Sequence, residues 1–120
     1  MTTGRLTTHV LDLYHGHPAK GMKIELWHKE LDGKRQPIRR VQTNDDGRVD
    51  QPLLSGNEMK PGVYELIFDV ADYFVGQKVD LPDPPFLDRV PIRFGIENSA
   101  SHYHVPLLIT PWGYNTYRGS

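Results

Sequence analysis

Two histidines in the middle of strand-like stretches are the residues of this 120-residue chain best suited to proton chemistry. Histidine changes charge near neutral pH, so it can take up or return a proton there. His9 lies in the stretch Leu6 to Leu13, where Thr8 and Val10 share one face and Thr7, His9, Leu11 and Leu13 share the other. His104 lies in His102 to Thr110. There Tyr103, Val105, Leu107 and Ile109 make a core-like face, and His102, His104, Pro106, Leu108 and Thr110 make the opposite one. Each histidine therefore stands beside apolar neighbours on the face that the core does not claim. A single strand histidine is ordinarily solvent-facing or satisfied by a hydrogen bond. The pair carries more weight, although alternation alone does not bring the two together.

Arg48 is the third candidate. It follows Asn44-Asp45-Asp46-Gly47, a tight turn, because Asn and Asp tolerate left-handed geometry and Gly prefers it. A guanidinium there is either a solvated surface charge or a rigidly held fork for a carbonyl or planar anion. The other candidates read as ordinary structure. His102 opens its strand and is expected to be exposed, and His28 reads as edge decoration. His15 and His17 flank Gly16; such a spacing can chelate a metal, but no nearby acid completes an obvious set, so the stretch reads as a plain turn. Lys34, Arg35, Arg39 and Arg40 bracket a hairpin and read as a solvated edge that discourages sheet-to-sheet association. No Gly-rich phosphate loop, serine elbow or metalloprotease helix is present.

The elements that must position these residues are short strands and turns. After Leu6 to Leu13 comes a turn over Tyr14 to Gly21, then a strand over Met22 to Lys29. Asp32-Gly33 is a strong hairpin signal, with Ile38 to Thr43 returning. A short fourth strand is expected over Arg48 to Asp50, a loop from Gly56 to Gly62, and a fifth strand over Val63 to Asp69. Val70 to Val75 predicts one or two helical turns. Residues 76–89, with Pro82, Pro84 and Pro85, make a loop. Val90 to Ile96 is the sixth strand, His102 to Thr110 the seventh and Tyr114 to Arg118 the eighth, with Pro111-Trp112-Gly113 turning between the last two.

Bulk composition narrows the classes. The length suits one domain, 1–120, with a proper core. Ten prolines and eleven glycines between short apolar runs favour an all-β sandwich. A net charge of −1, from 14 basic and 15 acidic residues, argues against nucleic acid or an anionic membrane as main partner. Without cysteine there are no disulfides, thiolate metal sites or cysteine nucleophiles. No signal-type run opens the sequence and no stretch approaches a membrane span, which makes the cytoplasm the expected location.

The closing run H-Y-H-V-P-L-L-I-T-P-W-G-Y-N-T-Y-R-G-S at 102–120 resembles the C-terminal signature of the 5-hydroxyisourate hydrolases, the transthyretin-related enzymes of urate breakdown. Its end, Tyr117-Arg118-Gly119-Ser120, is the hallmark separating those enzymes from transthyretin. T-T-H-V-L-D at 7–12 matches their N-terminal signature, with Gly16 and Pro18-Ala19 following, and T-N-D-D-G-R at 43–48 matches a third block shared by many transthyretin-like sandwiches. Trp112 and Asn115 stand where Tyr and Ser are usual, Leu13-Tyr14 replaces smaller polar residues, and the 76–89 loop is rich in proline.

The resemblance implies an all-β, transthyretin-like (prealbumin-like) sandwich of two four-stranded sheets with one short helix after the fifth strand. It implies a homotetramer, a dimer of dimers, with sites in a channel between dimers. It assigns catalysis to His9, Arg48 and His104, and substrate binding to His9, Arg48, Tyr117, Arg118, Gly119 and Ser120. It implies hydrolysis of 5-hydroxyisourate by histidine-activated water, without cofactor or metal. The competing readings are a small-molecule carrier on the same fold, as transthyretin is, and an accessory transthyretin-like domain of a larger enzyme.

Overall fold

Alternation governs the first strand. In β1 (Arg5–Asp12) Leu6, Thr8, Val10 and Asp12 are buried, while Arg5, Thr7, His9 and Leu11 stay partly or fully accessible. The computed structural model describes residues 3–120. In chain order there follow β2 (His17–Pro18), β3 (Lys23–Lys29), β4 (Arg35–Gln42), β5 (Leu54–Ser55), β6 (Gly62–Asp69), helix α1 (Val70–Gly76), β7 (Arg89–Ile96), β8 (His102–Thr110) and β9 (Gly113–Thr116). One sheet runs β4-β3-β6-β7; the other runs β2-β1-β8-β9, with β5 also pairing β1. The arrangement is the expected all-β, transthyretin-like sandwich of two sheets with one short helix. Leu6, Val10, Ile24, Leu26, Leu66, Phe68, Leu107 and Ile109 fill the space between the sheets, each almost wholly buried.

The pairing that matters most is β1 with β8. They run parallel, with Thr7 opposite His104, His9 opposite Pro106 and Leu11 opposite Leu108. Because strand side chains alternate, this register sets the outward residues of both strands side by side on one surface. The far edge of β1 is covered by three short pieces: β2 at its C-terminal end, a bridge from Arg48 to His9 in the middle, and β5 at its N-terminal end.

Four local expectations change. The fourth strand over Arg48 to Asp50 is a single bridge, because Val10 N donates to Gly47 O at 2.8 Å and the chain then leaves β1 until Leu53 N reaches Leu6 O. Within the Tyr14–Gly21 turn, His17 and Pro18 pair with Asp12 and Leu11. The last strand ends at Thr116 rather than Arg118, and Gly119 folds back to bridge His104. His28 is not on an edge: β3 lies between β4 and β6, and the His28 ring packs 4.9 Å from that of Tyr64.

Candidate active site

His104 stands on the outward face of β8, half-buried. Its chain neighbours Tyr103 and Val105 are each 6% exposed, so the backbone on both sides is pinned by the core. The β1–β8 register sets Thr7 directly beside it, and Thr7 Oγ1 lies 2.8 Å from His104 Nδ1. His9, two residues along β1 on the same face, is therefore the diagonal neighbour of His104. The two ring centroids are 6.5 Å apart.

His9 has its own anchor. Its Nε2 lies 2.9 Å from the carbonyl oxygen of Asp46. A carbonyl only accepts, so Nε2 carries the proton and Nδ1 keeps the lone pair. His104 is different, because the Thr7 hydroxyl can donate or accept. Its tautomer can therefore change without losing the contact.

The carbonyl that holds His9 belongs to the turn that carries Arg48. Asn44 Oδ1 accepts from Asp46 N at 2.9 Å and from Arg48 N at 3.1 Å, and Gly47 N donates to Asn44 O. Thr43 ties the turn inward by donating to Ala19 O at 2.6 Å and accepting from Met22 N. Gly47 has φ of 74°, and a Cβ there would lie 2.3 Å from Val10 O. Only glycine satisfies both the left-handed backbone and the close approach. One rigid turn thus orients His9 and presents Arg48.

Burial disfavours the charged imidazole, and the Arg48 guanidinium adds repulsion, so the pKa values of both His9 and His104 lie below the ordinary histidine value. The His104 value is lowered further by His9. Both rings are therefore poised neutral at neutral pH, the form a proton acceptor needs.

A cavity of ≈ 450 Å³ opens at this place, lined by Arg48, His104 and Ser120 together with Arg5, Thr7, Gln51 and His102. That volume suits a small molecule. His9 is not among the residues that line it; its ring centroid is 6.5 Å from that of His104. The tail divides. Gly119 N donates to His104 O at 2.7 Å, which brings Ser120 to the cavity. Tyr117 and Arg118 line a separate cavity on the other side, beside Tyr103 and Phe94. The Arg118 guanidinium sits 4.1 Å over the Tyr103 ring and donates to His102 O at 3.1 Å, so its charge anchors the tail and does not enter the His104 cavity.

Sequence reasoning passed over Thr7, Gln51 and Arg5. Thr7 shares the parity of His9, which was a usable signal, but its role depends on the partner strand. The acid not found near His15 and His17 is Asp12: Asp12, His15 and His17 form, among the described residues, a group able to hold a metal ion. At the cavity itself no acidic side chain stands among the lining residues.

A family model described as HIUase/Transthyretin family matches residues 6–119. The chain is 58% identical over 118 residues to 5-hydroxyisourate hydrolase 2 of Rhizobium meliloti (strain 1021), covering 98% of each. Among solved structures it superposes on (S)-allantoin synthase with a TM-score of 0.94 and 44% identity, over 99% of this chain and 44% of that one. It superposes on sea bream transthyretin in complex with thyroxine with a TM-score of 0.86 and 26% identity, over 96% of this chain and 94% of that one. The paired sheets and a match that runs from the first core leucine to the glycine beside His104 have one explanation: the chain belongs to the HIUase/Transthyretin family.

Proposed function

We propose that this chain, a single domain over 1–120, is a 5-hydroxyisourate hydrolase, opening the six-membered ring of its substrate to 2-oxo-4-hydroxy-4-carboxy-5-ureidoimidazoline. The observation that carries the reading is the meeting of an anchored His104 with Arg48 and the tail residue Ser120 in one cavity. It is supported by near-full-length relatives that bear that name. Hydrolysis of a cyclic amide needs an activated water, stabilisation of a developing oxyanion, and a means of orienting a flat polar ring.

His104 takes the proton of the attacking water while Thr7 holds Nδ1 and keeps the ring in place. The water oxygen bonds to the ring carbonyl carbon, and negative charge develops on the carbonyl oxygen. Arg48 stabilises that charge through its N–H donors. Collapse breaks the ring C–N bond, and the proton on His104 passes to the departing nitrogen. His9, fixed as the Nε2–H tautomer, keeps Nδ1 as an acceptor for the proton path beside His104. Ser120 closes the cavity, with Gly119 holding it against His104. Arg118 contributes by fixing the tail, and Tyr117 lines the neighbouring cavity. No step requires a cofactor.

The assembly is a homotetramer with the cavity facing a second dimer. Leu11 and Leu108 stand opposite each other on the outward surface beside the site and are still partly accessible in a single chain. Covering them would seal the site from bulk water. No helix of the described residues is long and apolar enough to cross a membrane, and the cytoplasm is the place of action we assign.

The likeness to a thyroxine-bound transthyretin favours a second reading, a carrier without catalysis. A spectrophotometric assay with freshly generated 5-hydroxyisourate separates the two. The hydrolase accelerates decay of the substrate above its spontaneous rate; a carrier leaves that rate unchanged.

A further inference from the structure

We propose that the His15–Gly16–His17 turn is a binding site for a divalent transition-metal cation of the zinc type, separate from the catalytic cavity. The site starts from Asp12, the last residue of β1, which alternation sends to the core face and which is 0% exposed. Its carboxylate is fully engaged. Oδ1 accepts from His15 N at 2.9 Å, and Oδ2 accepts from His15 Nδ1 at 2.6 Å and from the Tyr73 hydroxyl at 2.8 Å. Facing a carboxylate, Nδ1 of His15 is the donor, which leaves the lone pair on Nε2.

His17 reaches the same state by another route. Its Nδ1 lies 2.8 Å from the Pro18 carbonyl oxygen, which only accepts, so its lone pair is also on Nε2. The two rings are parallel, 9° apart in plane, with centroids at 5.5 Å. One ring nitrogen from each and a carboxylate oxygen of Asp12 all lie within 4.8 Å of one another.

An acceptor behind the far nitrogen of a histidine is the outer-shell arrangement that orients a ligating ring and fixes its tautomer. Here both histidines have one: a buried carboxylate for His15, a backbone carbonyl for His17. Imidazole donors without thiolate suit zinc, copper or nickel, and disfavour magnesium and calcium. The ion would bind Nε2 of His15 and Nε2 of His17, with Asp12 in the outer shell and water in the remaining positions, since both histidines are exposed. Binding at the zinc–nitrogen distance of about 2.0–2.1 Å closes the two Nε2 atoms on one ion while each Nδ1 keeps its acceptor.

The experiment titrates the full chain with Zn²⁺ while following the histidine ring resonances by NMR. A single equivalent per chain should shift His15 and His17. His15→Ala and His17→Ala should each weaken binding by at least about tenfold, and Asp12→Asn by about 10–100-fold. His104→Asn should bind Zn²⁺ as tightly as the parent, and the two turn variants should hydrolyse substrate at the parent rate. Because Asp12→Asn disturbs a buried group, His17→Ala, at an exposed position, is the deciding variant. Parent-like Zn²⁺ affinity in His17→Ala, shifts confined to His9 and His104, or no binding at millimolar Zn²⁺ would each overturn the proposal.

Discussion

Gly119 and His104 are fitted to each other. The Gly119 N–H donates to the His104 carbonyl at 2.7 Å, and a Cβ on Gly119 would lie 2.6 Å from His104 Cδ2. The C-terminal tail can dock against the ring only because residue 119 has no side chain. Arg118 holds the approach from the other side, over Tyr103 and on the His102 carbonyl.

Gly119→Ala should therefore displace either the His104 ring or the tail. We expect a folded protein whose turnover falls by roughly 10²-fold, the usual consequence of misplacing a reacting group by about an ångström. Circular dichroism and turnover on the same sample check this. Parent-like turnover would mean that the tail does not set the position of His104.

The acidic limb of the pH profile should lie below the ordinary histidine value, because burial and then Arg48 lower both site histidines. Arg48→Gln removes the second cause, so the limb should move to higher pH while the rate falls roughly 10²–10³-fold with the lost oxyanion donor. The same shifts act on stability. With folded values depressed, the unfolded chain binds more protons, so this contribution is present above about pH 6.5 and is lost as pH falls through the folded values. Measuring unfolding free energy from pH 7 downward in parent and Arg48→Gln tests this, with the smaller acid-side loss expected in the variant.

Alternation made the faces of β1 and β8 legible in the sequence, since which side of a strand is buried is a local pattern. Tyr103, Val105, Leu107 and Ile109 are all buried as expected. Their parallel pairing was not legible. Thr7 and His104 are 97 positions apart, and nothing in either stretch specifies the other's register, so the hydroxyl beside Nδ1 could not be foreseen. Arg118 shows a different limit. Its motif points to substrate, but the direction of a long side chain depends on what lies under it, here the Tyr103 ring. Asp12 was passed over: its burial continues the Thr8 and Val10 face, but its purpose depends on Tyr73 from α1 and His15 from the turn.

If the proposed tetramer forms through this face, Leu108→Arg should disrupt it, because a charge would replace one half of the Leu11–Leu108 pair on the outward surface. Light scattering should show a species smaller than a tetramer, with activity reduced in step. A stable, fully active monomer of the parent chain would contradict the placement of the site between subunits.

EDTA should leave hydrolysis unchanged, because water activation is assigned to a histidine and the candidate metal ligands lie in a turn that does not line the catalytic cavity. Loss of activity on chelation, restored by zinc, would instead make a metal-bound hydroxide the nucleophile.

The most direct test is the turnover of His104→Asn, measured across pH and corrected for spontaneous decay of the substrate. Asparagine keeps a polar group facing Thr7 but cannot take the proton from water. Normal folding and assembly are expected, with a loss of roughly 10²–10⁴-fold in turnover and disappearance of the acidic limb. Near-parent turnover with the acidic limb intact would contradict this and move the base to His9.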